Sequence, residues 1–284
     1  MSLLERARFV LRWDSAAYRP LSIAGRRMGW VTQDLAQRLV DFPQILLVDE
    51  TRVALSPRLA GYEVCKAAFD EIHEGLIESG HARPRRGELF PLLRDWQEVP
   101  IAAVDRALMP VMGFRSFGVH MNGFVRRPDG LHMWLGRRSR TKPTAPGKLD
   151  HLVAGGQPLG LTPLANLVKE CSEEASIPEP LARQAKPVGL ISYRCRFTDG
   201  QRDDIQVCYD LEIPEDFRPR SGDDEVEDFM LWPIEEVRQR LAETEDFKFN
   251  VALVIIDFLI RHGLVGPEEP GYREILHCLR SGGP

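Results

Sequence analysis

At 284 residues, 43% of them apolar and 28% charged, the chain has the composition of an ordinary globular protein. Its length suits one large domain or two smaller ones, with a core that needs neither disulfides nor a structural metal. A formal net charge of −5 argues against general nucleic-acid affinity, and the acidic surplus lies after residue 116. Glu5, Arg6 and Arg8 interrupt any secretory signal, and the most apolar stretch, Val251–Ile260, contains Asp257 and is too short for a bilayer. Cys65, Cys171, Cys195, Cys208 and Cys278 are an odd, scattered set without a C-x-x-C pair, which suits reduced thiols. The expectation is a soluble cytoplasmic protein with a small-molecule ligand, no nucleic acid and no membrane.

In chain order, Phe9–Trp13 and Leu21–Ile23 read as short strands, followed by a turn at Gly25 and a strand at Met28–Val31. Thr32 or Asp34 then caps a helix through Leu35, Leu39 and Val40 that stops before Pro43. A longer helix is expected over Ala60–Ser79, and Pro84-Arg85-Arg86-Gly87 is a loop by composition. From residue 117 the pattern changes. Phe117–Val125 and Leu131–Arg137 make a hairpin about the turn signal Arg127-Pro128-Asp129-Gly130. Leu152–Gly156 is a short strand, and Thr162-Pro163 supplies an N-cap and first-turn proline for a helix reaching Ala175. Val188–Phe197 and Asp204–Ile213 are strands joined by Thr198-Asp199-Gly200, and Glu225–Trp232 is another. Helices follow at Ile234–Leu241 and Asn250–His262. The expected class is α/β (α+β): a mixed sheet sandwiched by helices, preceded by a smaller α+β unit. The division expected is 1–115, 116–245 and a helical extension, 246–284, packed on the second unit.

The helix at Pro163–Ala175 carries the chemistry. Leu164, Leu167, Val168, Cys171 and Ala175 form one apolar stripe at offsets of three and four. Glu170, Glu173 and Glu174 share a neighbouring face, where three carboxylates repel one another unless a cation compensates. A hard divalent ion bound through oxygen would do so. An acidic helical face is ordinarily just solvated. Here Gly155-Gly156 closes the preceding strand, and the carboxylates fall in the last turns of the helix that follows.

Gly155–Ile177 resembles the Nudix box, G-x5-E-x7-R-E-U-x-E-E-x-G-U, where U is a bulky apolar residue. Gly155, Glu170, Glu173, Glu174 and Ile177 match, and Cys171 fills the first U position loosely. Leu161 stands where the first Glu belongs, Lys169 replaces Arg, and Ser176 replaces Gly. Phe117–Gly123, Lys148-Leu149-Asp150, Val153–Gly156, Lys169–Ala175, Phe247–Asn250 and Phe258–Gly263 resemble one Nudix subgroup. That subgroup is the Nudix domain related to thiamine pyrophosphokinase fusion proteins of fungi, with residues 1–115 corresponding to an added N-terminal domain.

This resemblance implies a Nudix α/β/α sandwich and a Mg²⁺- or Mn²⁺-dependent hydrolase that cleaves a phosphoanhydride bond. Glu170, Glu173 and Glu174 would hold the metal, and Glu173 or Glu174 would help orient the attacking water. Lys169 would steady a carboxylate without the bidentate fork of Arg. Glu225 and Glu227, two apart on an expected strand, are candidates for an extra ligand or base. Arg138, Lys142 and Lys148, from a basic stretch near the Gly155-Gly156 loop, would grip the diphosphate, and His120 and Asn122 would line the pocket. The subgroup implies thiamine diphosphate or its oxidised forms as substrate, yielding the monophosphate. ADP-ribose or a nucleoside diphosphate sugar is the alternative, as is a module that binds a diphosphate without turnover. Residues 1–115 show no catalytic spacing and would shape the pocket or mediate a homodimer.

Overall fold

The computed structural model describes residues 2–10, 12–142, 144–197, 200–222 and 224–280, so the Thr198-Asp199 part of the expected turn lies outside them. A helix, α1 (Leu3–Phe9), opens the chain and takes in Phe9, and the described residues of the strand expected at Phe9–Trp13 form no strand. The reason is local: Ser2 Oγ accepts the Glu5 N–H while the Ser2 N–H donates to the Glu5 side chain, a reciprocal cap.

The accessory unit then runs through β1 (Tyr18–Ile23), β2 (Arg26–Thr32), α2 (Gln33–Leu39), β3 (Leu46–Val48), β4 (Val53–Leu55) and α3 (Tyr62–Glu78). β5 (Leu89–Leu92), β6 (Ala102–Asp105) and α4 (Met109–Met112) complete it. Thr32 caps α2 as expected, through its hydroxyl to the Leu35 N–H. Strands β1 to β4 form one sheet in the order β2-β1-β4-β3, while β5 and β6 pair with each other. β3 to β6 are only three or four residues long, too short for alternation to announce them. Phe69, Ile72, Leu76 and Phe114 are at the centre of this unit's core.

The second unit holds β7 (Arg115–Arg127), β8 (Gly130–Arg138), β9 (Leu149–His151), β10 (Val153–Gly156), α5 (Pro163–Ala175), α6 (Glu179–Ala182), β11 (Lys186–Phe197), β12 (Gly200–Glu212) and β13 (Val226–Pro233). It ends with α7 (Ile234–Glu243), α8 (Val251–Arg261) and α9 (Tyr272–Arg280). The seven-stranded sheet has the path β11-β12-β7-β8-β13, with β12 parallel to β7 and the other pairs along it antiparallel. Along one edge β7 splits its pairing: Phe124–Arg127 bind β8, whereas Gly118–Met121 bind β10. The chain crosses this fork at Leu152, over Gly123, where a Cβ would come within 2.2 Å of the Leu152 side chain.

The apolar stripe of α5 covers one face of the sheet, with Leu167, Cys171 and Ala175 fully buried. On the other face lie α8 and α7, joined by α9 and by α1, whose Leu3 and Ala7 enter the same core as Val254 and Phe258. The expected α/β/α sandwich with a mixed sheet and a separate N-terminal α+β unit is what the chain forms. All five cysteines are free and buried, and burial pushes the Cys171 thiol up to about 12. Among the described residues no helix is long and apolar enough to cross a membrane.

Leu3→Ala should cost about 2 kcal/mol. Because α1 shares its core with α8 and α9, urea unfolding should show that loss in the transition of the second unit; an unchanged midpoint would separate α1 from it.

Candidate active site at the junction of the two units

Helix α5 is aimed by its start. The Thr162 hydroxyl accepts the Ala165 N–H, Pro163 fixes the first turn, and buried Asn166 donates to the Gly156 carbonyl at 2.9 Å. The last bond ties the helix to the Gly155-Gly156 corner. Glu170 lies directly over that corner: a Cβ on Gly155 would fall 2.3 Å from its carboxyl carbon. Glu174 is buried, and one of its oxygens accepts the Ala154 N–H at 2.9 Å. The helix ends with Ser176 in the left-handed region at φ 52°, which explains the glycine usual in the box. Ser176 tolerates that conformation while its hydroxyl donates to the Arg220 carbonyl.

A cleft of about 260 Å³ opens beside this corner, lined by Glu170 and Glu174 and by residues of both units. Burial drives the pKa of each glutamate upward, and each also feels the other's charge or that of Glu173. Glu173 faces away from the cleft and pairs with Lys169 at 2.6 Å; Lys169 also reaches Glu170 at 3.2 Å. One buried and one half-buried carboxylate lining one cleft are the donor set a hard divalent cation takes, so Glu174 and Glu170 fit such an ion, with Glu173 next to them. Leu161 is partly exposed in the loop before α5 and offers no ligand; only its carbonyl is used, by Gln157.

The other expected site residues divide. Lys142 lines the cleft, pairs with Glu225 and is shifted downward by burial. Arg138 also lines it, but its guanidinium is taken up by the carbonyls of Thr144 and Ala145 and by Asp150 at 2.9 Å. Lys148 lies outside, with its ammonium on the Glu245 carbonyl. Glu227 is turned away to the Arg140 N–H at 2.9 Å, because β13 carries a bulge between Val226 and Asp228 that breaks the alternation. Asn122 is fully buried on Asp210 at 2.9 Å and does not line the cleft.

His120 does line it, as part of a buried polar chain. Tyr193 donates to Asp204 at 2.7 Å, Asn250 Nδ2 donates to the Tyr193 oxygen at 2.9 Å, and the same amide faces His120 Nε2 at 3.4 Å. His120 Nδ1 and His151 Nδ1 are 2.8 Å apart, so one must donate and the other accept. Sequence reasoning passed over Tyr193, Asp204, Asn250 and Lys248, although Phe247–Asn250 had stood out as a shared segment. It also passed over three arginines of the accessory unit, Arg83, Arg86 and Arg106.

His120, Asp150 and His151 bring three potential ligand atoms within 4.8 Å. Asp150 is already bound by Arg138 and Lys248, each at 2.9 Å, and those two cations hold its carboxyl far below the usual range despite burial. A dication there would meet two buried positive charges, so this cluster fits a hydrogen-bonded scaffold and not a metal.

Gly155→Ala should displace Glu170 and weaken Mn²⁺ affinity by about 10- to 100-fold, read by titration, with the helix content intact. Burial also pushes His151 down to about 4, from an ordinary 6.5, and lowers His120. The native state therefore favours neutral rings. Their contribution is complete above pH 6.5 and is lost as pH falls toward 4, a fall of about 3 kcal/mol for His151. Urea midpoints between pH 7 and 4.5 should drop accordingly, and a flat profile would contradict it.

A family model for the NUDIX domain matches residues 117–252, and one described as a domain of unknown function (DUF4743) matches residues 3–116. Nudix hydrolase 20, chloroplastic, of Arabidopsis thaliana is 45% identical over 271 residues, covering 92% of this chain and 72% of the relative. Nudix hydrolase 24, chloroplastic, of the same plant is 39% identical over 269 residues, covering 93% and 73%. Both names give a compartment that does not match the cytoplasmic one expected from the sequence. With the three box glutamates on α5 and relatives this similar across both units, the chain belongs to the Nudix hydrolase family.

Proposed function

We propose that this chain is a divalent-metal-dependent hydrolase of a small diphosphate, with Mg²⁺ or Mn²⁺ held by Glu170 and Glu174 and supported by Glu173. The observation that carries the reading is the pair of glutamates, Glu174 buried and Glu170 half-buried, lining a cleft otherwise rich in cations. Bound there, the metal supplies charge neutralisation on the phosphate oxygens and lowers the pKa of a water. Lys169 holds Glu173 and Glu170 in place from the helix surface. Lys142 reaches into the cleft as a donor to phosphate oxygens, and Glu225 orients it. One Glu174 oxygen is fixed by the Ala154 amide, which leaves the other for the cleft. Glu174 would position the attacking water, since Glu173 is turned to Lys169.

The resemblance to the thiamine pyrophosphokinase-related subgroup points to thiamine diphosphate or its oxidised derivatives, released as the monophosphate. A cleft of about 260 Å³ is at the small end for ligand sites and favours such a compact diphosphate over ADP-ribose or a nucleoside diphosphate sugar. Residues 1–115 are read as an accessory domain, 116–245 as the hydrolase and 246–284 as its helical extension.

With Mg²⁺, turnover should be found on at least one member of a panel of thiamine diphosphates, ADP-ribose and nucleoside diphosphate sugars. Glu174→Gln should lower that rate by about 10²-fold or more without changing the melting temperature by more than a few degrees. Binding without release of any phosphate product would favour the non-catalytic module.

A further inference from the structure

The cations around the cleft are not equally committed. On the hydrolase side Arg138 and Lys248 share Asp150, and Lys142 pairs with Glu225. On the accessory side Arg106 pairs with Glu88 at 2.9 Å, but neither Arg83 nor Arg86 has a carboxylate partner among the described residues. Arg83 and Arg86 are exposed along the rim of the cleft, and partial burial together with the like charges of Arg106, Arg83 and Arg202 disfavours the charged form of Arg86. Positive charges crowded this way call for an anion.

The wall they stand on is built firmly. Buried Asp105, at the end of β6, accepts the N–H groups of Arg86, Gly87 and Ala107 at 2.8–3.1 Å. One carboxylate thus pins the arginine loop to the strand end that carries Arg106. The Leu159 N–H donates to the Leu89 carbonyl at 2.8 Å, joining this wall to the loop before α5. Phe90 presses on Gly156, where a Cβ would fall 2.5 Å from its ring, and the Arg106 guanidinium carbon lies 3.7 Å from the same point. Arg106 is also close enough to Glu170 for its charge to oppose part of the upward shift that burial imposes on that carboxyl. The arginines therefore flank the metal-binding corner, and the accessory unit forms one side of the active site.

We propose that Arg83, Arg86 and Arg106 form the subsite for an uncapped terminal phosphate, so that the accessory domain selects diphosphate monoesters over diphosphates esterified at both ends. A terminal phosphate carries about −1.5 to −2 charges at pH 7 and offers three acceptor oxygens, which suits several guanidiniums at once. A phosphate capped by a sugar carries a single charge and would press neutral hydroxyls against Arg83 and Arg86. Asp105 is a positioning residue for the subsite. This inference rests on the diphosphate reading given above, but it concerns binding and can fail separately.

The test uses two non-hydrolysable probes that differ only in the cap, α,β-methylene-ADP and α,β-methylene-ADP-ribose, titrated calorimetrically into the full chain with Mg²⁺. The wild type should bind the uncapped probe at least tenfold tighter. Arg83→Gln and Arg86→Gln should each remove most of that preference, Arg86→Lys should restore part of it, and affinity for the capped probe should change less than threefold. Asp105→Asn should reduce the preference in the same direction, and circular dichroism would identify a variant that fails to fold. Equal affinity of the wild type for both probes, equal losses on both in the variants, or no binding of either would overturn the proposal. If the preference holds and no diphosphate is turned over, the subsite stands and the hydrolase reading falls. If turnover occurs without the preference, the reverse is true.

Discussion

Two glutamates one helical turn apart, one buried and one half-buried and both lining the same cleft, impose their demands on everything nearby. Burial penalises each charge, and proximity penalises the pair. The protein does not relieve this by pairing them inside the cleft, since Lys169 serves Glu173 and Glu170 from the helix surface and Lys142 pairs with Glu225. What remains is a site with affinity for a multivalent cation. The surrounding features follow from holding that arrangement still. Asn166 anchors the helix to the Gly156 carbonyl, Gly155 lacks a side chain where Glu170 must lie, and the Ala154 amide grips Glu174.

Beneath the cleft runs a second layer of buried polarity organised around Asp150. Its carboxylate binds one cation from β8 and one from the segment before α8, which locks the back of the sheet to the helical layer. Arg138 therefore belongs to the framework, although its position in a basic stretch near the glycine corner suggested a phosphate ligand. The histidine pair continues this layer toward Asn250 and Tyr193, so the polar floor of the cleft is cross-braced by side-chain contacts.

Features set by neighbouring residues were legible in the sequence. Thr162-Pro163 and the Leu164–Ala175 stripe announced α5, and the Arg127–Gly130 turn announced the β7–β8 hairpin, because caps and turns act over a few positions. The box supplied the three glutamates, and the structure puts two of them in the cleft. Long-range features were not legible. Pro84–Gly87 reads only as a loop by composition, because its placement depends on Asp105, about twenty residues later, and on contacts with another unit. Glu227 was paired with Glu225 by strict alternation, which a bulge in β13 defeats. Helix α1 has no counterpart among the elements expected from the sequence, which begin with a strand at Phe9–Trp13; the signal for the helix is the Ser2–Glu5 cap ahead of that apolar run.

The placement of α1 has a kinetic meaning. Its Leu3 and Ala7 complete a core otherwise made by α8, α9 and the sheet, so the accessory unit is threaded between two parts of one packed body. A chain emerging from the ribosome would expose the apolar side of α1 until residues beyond 250 are made. The accessory unit can close on its own core in the meantime. It would then present a finished arginine wall against which the later hydrolase sheet assembles.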